Sequence, residues 1–403
     1  MIYRQITVYG IVGLSDFVSS LLVFAVTRTL AEQGAGTFAM GLVGGGYAAT
    51  ISLSTFFGGR LADRVGHVRI ILWATLFLLP CVLVIAMADS RSWPFVAAYI
   101  MAGLGTGSVY PASMVWLTLD QQRTASFSRL ILYCLAWNLG MVSGHASAGQ
   151  LFGIWGPTAV LYFAAGVLPF MLGFVVWGSR KTNKTQVDPD AHEAQTTYSN
   201  YQVQLAGAFT WLSWVANVGG TFAMSMVLYL LPALAVEIGI SSQYQGGIVA
   251  LSRCVVIVTY LCMTCFKHWR FRFLGAVSSQ ILAIVGLVYM AFAQNGIQLT
   301  LGLATFSILP AYNYFASLFY STVGSAVSER GTWCGIHETT LGIGLTLGAV
   351  LGGWVGQHNV RFCFLLAASA IGILTMIQAI LYAKLVAPRR ASSKIAGGIN
   401  PDW

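Results

Sequence analysis

Twelve apolar runs, each closed by charge or by turn-forming residues, constrain this chain more than any other feature. They fall near 7–30, 38–58, 70–88, 94–117, 128–153 and 157–178, then near 204–230, 244–265, 272–293, 297–323, 333–356 and 360–383. A helix needs about 20 apolar residues to cross a bilayer. The runs therefore predict an all-α polytopic membrane protein with twelve transmembrane helices. Composition agrees, because 57% of the residues are hydrophobic and 8% are charged. A soluble domain carries about 25% charged residues, so too few charges are present to cover a water-soluble surface. Soluble enzymes, nucleic-acid-binding domains and disordered chains are poor readings of such a sequence. The first run is long enough to stay as a helix and shows no small-residue cleavage site after it.

The net charge of +9 follows the apolar runs rather than forming one basic surface. With a cytoplasmic N-terminus, seventeen Lys and Arg lie inside and only Arg28, Arg91 and Arg361 lie outside, with Arg253 within a span. By the positive-inside rule, both termini and the polar segment 179–203 are expected in the cytoplasm. That segment is the longest hydrophilic stretch and reads as a linker between residues 1–178 and 204–403. The seven cysteines are odd in number and lie in or beside apolar runs, which argues against a disulfide framework. Cys262-x-x-Cys265 has no second pair or His set beside it, and reads as ordinary membrane cysteines.

The two halves repeat weakly. Gly45-Gly46 matches Gly246-Gly247 and Asp16 matches Asn217, both at an offset of 201. Pro111-Ala112 matches Pro310-Ala311 at 199, and Gly140-xxx-Gly144 matches Gly344-xxx-Gly348 at 204. Parallel six-span repeats are a mark of one large transporter class.

The loop expected after span 2 reads Gly58-Gly59-Arg60-Leu61-Ala62-Asp63-Arg64-Val65-Gly66-His67-Val68-Arg69. It resembles the signature loop of the major facilitator superfamily, Gly-x-x-x-Asp-Arg/Lys-x-Gly-Arg/Lys-Arg/Lys. Gly59, Asp63, Arg64 and Gly66 match, and Arg69 supplies one trailing base a position late. The resemblance implies two six-helix bundles around a central cavity that opens alternately to each side. It also implies that Asp63 and Arg64 latch the bundles together against the start of span 11, where a helix N-terminus favours an anion. Gly59 and Gly66 are expected to permit a tight turn and close helix approach. Span 5 departs from the antiporter pattern, with His145 at its Pro position and Ala148 in place of a Gly.

Charged residues at membrane depth are costly, so each is a functional candidate. Asp16 stands about nine residues into span 1, roughly 13 Å deep. It is the first candidate for proton coupling, since a carboxylate changes protonation with hydration; a static pair is the competing reading. Glu338 is the second candidate, and its place near the inner gate also suits a gating contact. Arg253 suits an anionic substrate group or a structural partner of Asp16 or Glu338. His145 is a candidate for titration or for packing. Trp214, Tyr110, Tyr312 and Tyr314, with Asn217, are candidate cavity residues, because the resemblance makes spans 1, 4, 7 and 10 line the path. The aromatic set on span 10, including Phe315, Phe319 and Tyr320, is read as facing that cavity.

The sequence shows no zincin helix, Walker loop or nucleophile elbow. The expectation is therefore a non-enzymatic secondary transporter for a small organic solute, coupled to protons, with no cofactor or metal and no nucleic-acid partner. It is expected to act as a monomer in the lipid bilayer of a bacterial inner (plasma) membrane. An uncoupled facilitator, a lipid or lysolipid flippase and a non-transporting sensor or scaffold are the alternatives. The topology has a direct check. A Ser199→Cys variant should stay unreactive when intact cells meet an impermeant thiol reagent, and labelling from outside would reverse the assignment.

Overall fold

The computed structural model describes residues 2–118, 126–182, 199–325 and 330–395. The helices are α1 (Ile2–Glu32), α2 (Thr37–Val65), α3 (His67–Met87), α4 (Trp93–Thr118), α5 (Ser126–Trp155), α6 (Pro157–Thr182), α7 (Asn200–Tyr229), α8 (Leu231–Glu237), α9 (Ser242–Cys265), α10 (Phe273–Ala291), α11 (Gly296–Gly324), α12 (Arg330–Gly356), α13 (Arg361–Leu381) and α14 (Ala387–Ile395). All but α8 and α14 are long, from 19 residues in α10 to 31 in α1. These twelve long helices match the twelve apolar runs. One face of the molecule, the termini face, carries the described start of α1 and the α2–α3 and α9–α10 turns. The opposite, distal face carries the α1–α2, α3–α4, α5–α6, α7–α9, α10–α11 and α12–α13 connections.

Among the described residues, nine helices are long and apolar enough to cross a membrane by length and composition. The long helices outside that set are α2, α5 and α11. Of these, α2 packs on α12 and α5 on α9.

Two bundles result. In the first, α1 packs on α4, α5 and α6, α2 on α4, and α3 on α4 and α6. In the second, α7 packs on α11, α12 and α13, and α10 on α11 and α13. The α2–α12 and α5–α9 contacts join the bundles.

Glycines set the spacing within each bundle. A Cβ at Gly140 would collide with the Gly13 carbonyl oxygen, and one at Gly144 would come within 2.8 Å of the Phe17 carbonyl oxygen. In the second bundle, a Cβ at Gly344 would lie 2.6 Å from the Val218 carbonyl oxygen, and one at Gly348 would strike that of Phe222. The α1–α5 and α7–α12 contacts are thus the same contact made twice. Gly13 and Phe17 correspond to Val218 and Phe222 at an offset of 205. This corrects the pairing of Asp16 with Asn217, because the packing register makes Thr221 the counterpart of Asp16.

Three local features differ from the sequence expectation. The stretch from Gly58 to Val65 is helical and belongs to α2, so only Gly66 breaks the chain before α3. Gly66 has φ 100°, a conformation that L side chains rarely adopt, and its N–H caps α2 by donating to the Ala62 carbonyl. Gly59 needs no such freedom, since a Cβ there would meet Pro111 at an ordinary 3.7 Å. The short α8, with Pro232 in its first turn, and the π turn Tyr382–Val386 leading into α14 carry no apolar run long enough to signal them.

Gly140→Leu should therefore destabilise the detergent-purified protein by about 1–3 kcal/mol of overpacking, read as a marked fall in melting temperature. Gly166→Ala, with nothing within 4 Å of the added Cβ, should change the stability by no more than about 1 kcal/mol. Equal melting curves for the two variants would refute the packing account.

Candidate functional site

The distal face is closed. Thr37 donates its hydroxyl to the Gly353 carbonyl at 3.0 Å, tying α2 to α12. A Cβ at Gly353 would lie 2.6 Å from the Thr37 carbonyl oxygen and 2.9 Å from the Gly41 Cα. On the other seam, a Cβ at Gly149 would lie 2.7 Å from the Ser242 carbonyl, and one at Gly246 would lie 2.6 Å from that of His145. The glycine contacts of α2 with α12 continue inward to Ser52 and Gly342. Beyond them, towards the termini face, α2 exposes Leu53, Phe56, Phe57 and Leu61.

Below the closed face each bundle holds a buried polar cluster. Asp16, on α1, is 3% exposed. The Tyr110 hydroxyl donates to its Oδ1 at 2.8 Å, while Oδ2 has no hydrogen-bond partner among the described residues. Tyr110 precedes Pro111, which has no N–H to give the Gly107 carbonyl one turn back. Thr55 on α2 donates to that carbonyl instead, at 3.1 Å. The Tyr133 hydroxyl of α5 donates to the Tyr110 carbonyl at 3.4 Å. Beside them Tyr47 donates to Thr106 at 3.3 Å and so accepts from Ser19 at 3.0 Å. Its ring stacks on Tyr99, with centroids 4.6 Å apart.

Arg253, on α9 of the second bundle, is 5% exposed. One guanidinium nitrogen donates to the Met224 sulfur at 3.3 Å, and Nε has no partner among the described residues. Asp16 and Arg253 influence each other electrostatically, yet no ion pair joins them among the described residues. His145 is buried at the α5–α9 seam, where its Nδ1 faces the Met141 carbonyl at 2.9 Å and so acts as donor within its own helix.

The second cluster centres on His337 of α12, buried against α7 and α11. The Asn217 amide donates to His337 Nδ1 at 3.1 Å, and the Ser317 hydroxyl approaches the same nitrogen at 2.8 Å. With this amide orientation Nδ1 is an acceptor, which puts the ring proton on Nε2. Nε2 lies 4.0 Å from a carboxylate oxygen of the half-exposed Glu338. The Tyr314 ring lies 5.1 Å from that of His337 and 5.5 Å from Trp137 of the first bundle. Trp214 lies between Trp211 and Trp333, at 5.0 and 5.4 Å.

Most of the aromatic set on α11 packs against rings of its own bundle. Tyr312 packs on Gly275 of α10 and on Trp269, and Phe315, Phe319 and Tyr320 surround Trp269 and Phe271. Their apolar faces fill the second bundle's own core around the turn before α10, leaving Tyr314 as the one of the set paired with a ring of the other bundle among the described residues. Sequence reading left His337, Tyr47, Tyr133, Trp137 and Trp333 outside the site. His337 carried a signal, a second ionisable residue beside Glu338; the others had none apart from tertiary contact. Of the loop residues, Arg64 and Arg69 are exposed. The Asp63 side chain and the first side chains of α12 lie outside the described residues.

Two six-helix bundles with ionisable groups buried near their seam define the architecture of a membrane transporter. The Major Facilitator Superfamily profile matches residues 8–328, and the chain belongs to that superfamily. It is 21% identical over 345 residues to "Multidrug resistance protein MdtL" of Klebsiella pneumoniae (strain 342), covering 82% of this chain and 84% of that one. The POT family transporter PepTSo superposes with a TM-score of 0.74 at 12% identity, covering 95% of this chain and 98% of PepTSo. A bacterial homologue of the human lysosomal transporter Spinster, solved inward-facing and unoccupied, gives 0.71 at 13% identity over 95% and 97% of the two chains.

Arg253 is under-satisfied for a buried cation, so stability does not account for it. Arg253→Met, of similar length beside Met224, should stabilise the protein by about 1–3 kcal/mol, read as a higher melting temperature, while abolishing transport. A fall in melting temperature would mark the arginine as structural.

Proposed function

We propose that the protein is a secondary transporter that moves a small organic solute by alternating access, coupled to protons. The observation that carries this reading is Asp16, buried in α1 with one oxygen bonded to Tyr110 and the other unpartnered among the described residues, opposite the charge of Arg253 in the other bundle. A carboxylate in such a site holds a proton while dry and releases it when water or a cation reaches it. Movement of the bundles changes both conditions together. Glu338 beside His337 offers a second exchange site on the termini side, and Arg253 an anchor for an anionic group. Trp214, Tyr110 and Tyr314, with Asn217, frame the path; His145 serves the α5–α9 seam.

The closed distal face supports an inward-open form, with residues 1–178 and 204–403 as the moving bundles and 179–203 as a cytoplasmic linker. Both termini then face the cytoplasm and the distal face is the outer one, in a bacterial inner membrane. In the alternate form Gly59, Asp63, Arg64, Gly66 and Arg69 meet the start of α12 as a latch. The likeness to a protein named for multidrug resistance favours an organic solute. One chain suffices for the cycle, since both bundles and the seam belong to it.

In proteoliposomes, Asp16→Asn should lose pH-driven accumulation while keeping substrate binding or counterflow exchange. If the variant accumulates solute with the parent's pH dependence, Asp16 is not the coupling group. Joint loss of accumulation, exchange and stability would instead mark a static pair.

A further inference from the structure

Arg28 belongs to neither polar cluster. It stands near the distal end of α1 and is 5% exposed. All three of its guanidinium nitrogens are bonded. Nε donates to Glu32 one turn on in the same helix, at 2.7 Å. The other two cross to the second bundle, one to the Gln245 side-chain oxygen on α9 at 2.7 Å and one to the Ile240 carbonyl at 2.9 Å. Gln245 is itself buried. Ile240 sits in the turn between α8 and α9, and that turn is held from its own side. Arg361 of α13 bonds Glu237 of α8 at 3.1 Å and the Ala291 and Ala293 carbonyls at 3.1 and 2.7 Å. Arg28 therefore grips a braced element rather than a loose loop.

We infer that Arg28 is the distal gate clamp, a positioning residue that holds α1 to the α8–α9 turn in the closed form and releases Gln245 and Ile240 when that face opens. The inference rests on the alternating-access reading above. Its chemistry suits a reversible contact. Separation of the bundles breaks two bonds to neutral acceptors, both of which water can replace. The bond to Glu32 travels with α1, so the cation keeps its counter-ion in either form and is never left bare. The seams beside it are close contacts at glycines with one neutral hydrogen bond, from Thr37 to the Gly353 carbonyl, and the guanidinium adds two charge-assisted bonds to them.

The test reads conformation directly. Spin labels at Asp89→Cys and Gln294→Cys, both exposed on the distal face and in different bundles, report its opening by pulsed electron resonance, with the exposed Cys262 and Cys265 replaced by Ser. Gln245→Leu removes one acceptor, and should raise the ratio of long to short distances by about tenfold, the scale of one bond from a charged donor. Gln245→Glu offers Arg28 an anion and should lower that ratio by a similar factor. A residue with a merely structural role would not give opposite shifts from one position. Arg28→Gln should resemble Gln245→Leu, and Gln245→Leu carries the test alone if the arginine variant fails to fold. Coincident distributions for the two Gln245 variants and the parent would overturn the clamp. The readout needs no substrate. Shifted distances in a protein that transports nothing would overturn the transport reading and leave the clamp standing.

Discussion

Close approach of one backbone to another, with no side chain between, is the contact on which this structure depends. Lipid tails are as apolar as leucine, so burial from water does not drive helices together within the membrane; van der Waals packing and interhelical hydrogen bonds do. Gly140 and Gly144 let α5 lie on the carbonyls of α1, and Gly344 and Gly348 let α12 lie on those of α7. Between bundles the device recurs at Gly41 with Gly353 and at Gly149 with Gly246. On the distal side one continuous apolar core backs these contacts, running from Phe24 and Met40 of the first bundle to Met226 and Leu231 of the second. The seams themselves combine glycine contacts with a few larger side chains, such as Tyr229 against Gly44.

That spacing decides what the interior tolerates. Helices held this closely exclude water, so each buried polar group needs a protein partner. Most have one, as with Thr55 on the carbonyl left free by Pro111, or Asn217 and Ser317 on His337. Asp16 and Arg253 are the incompletely satisfied opposites, one in each bundle. An arrangement selected for stability alone would pair them within bonding distance or replace both by apolar residues. Their separation across the seam instead links their electrostatics to the bundles' relative position.

Much of this was legible in the chain. Long apolar runs gave the helices, because hydrocarbon thickness and backbone satisfaction leave few alternatives. Asp16, Arg253 and Glu338 were visible as charges inside those runs. The packing of the α11 aromatics was not legible, since spacing along a helix names a face without saying what covers that face. Tyr312, Phe315 and Phe319 turn to Trp269, a residue of a short polar turn that carried no sign of being a core element. The repeat register also shifted, because chance Gly and Pro matches tolerate slips that carbonyl contacts do not.

The sequence by itself determined that the chain spans a membrane, how many times it does so, the register of its glycines along each helix and the rarity of its buried charges. These follow from local composition, which fixes where a segment is soluble. Only the tertiary structure decided which helices meet across the seam, that Tyr110 holds Asp16 while Arg253 stands apart, that Asn217 and Ser317 both meet His337 Nδ1, and that Arg28 reaches the α8–α9 turn 212 positions away. Those outcomes depend on pairs of residues distant in sequence. Their meeting is fixed by how closely whole helices approach, and local composition carries no record of that distance.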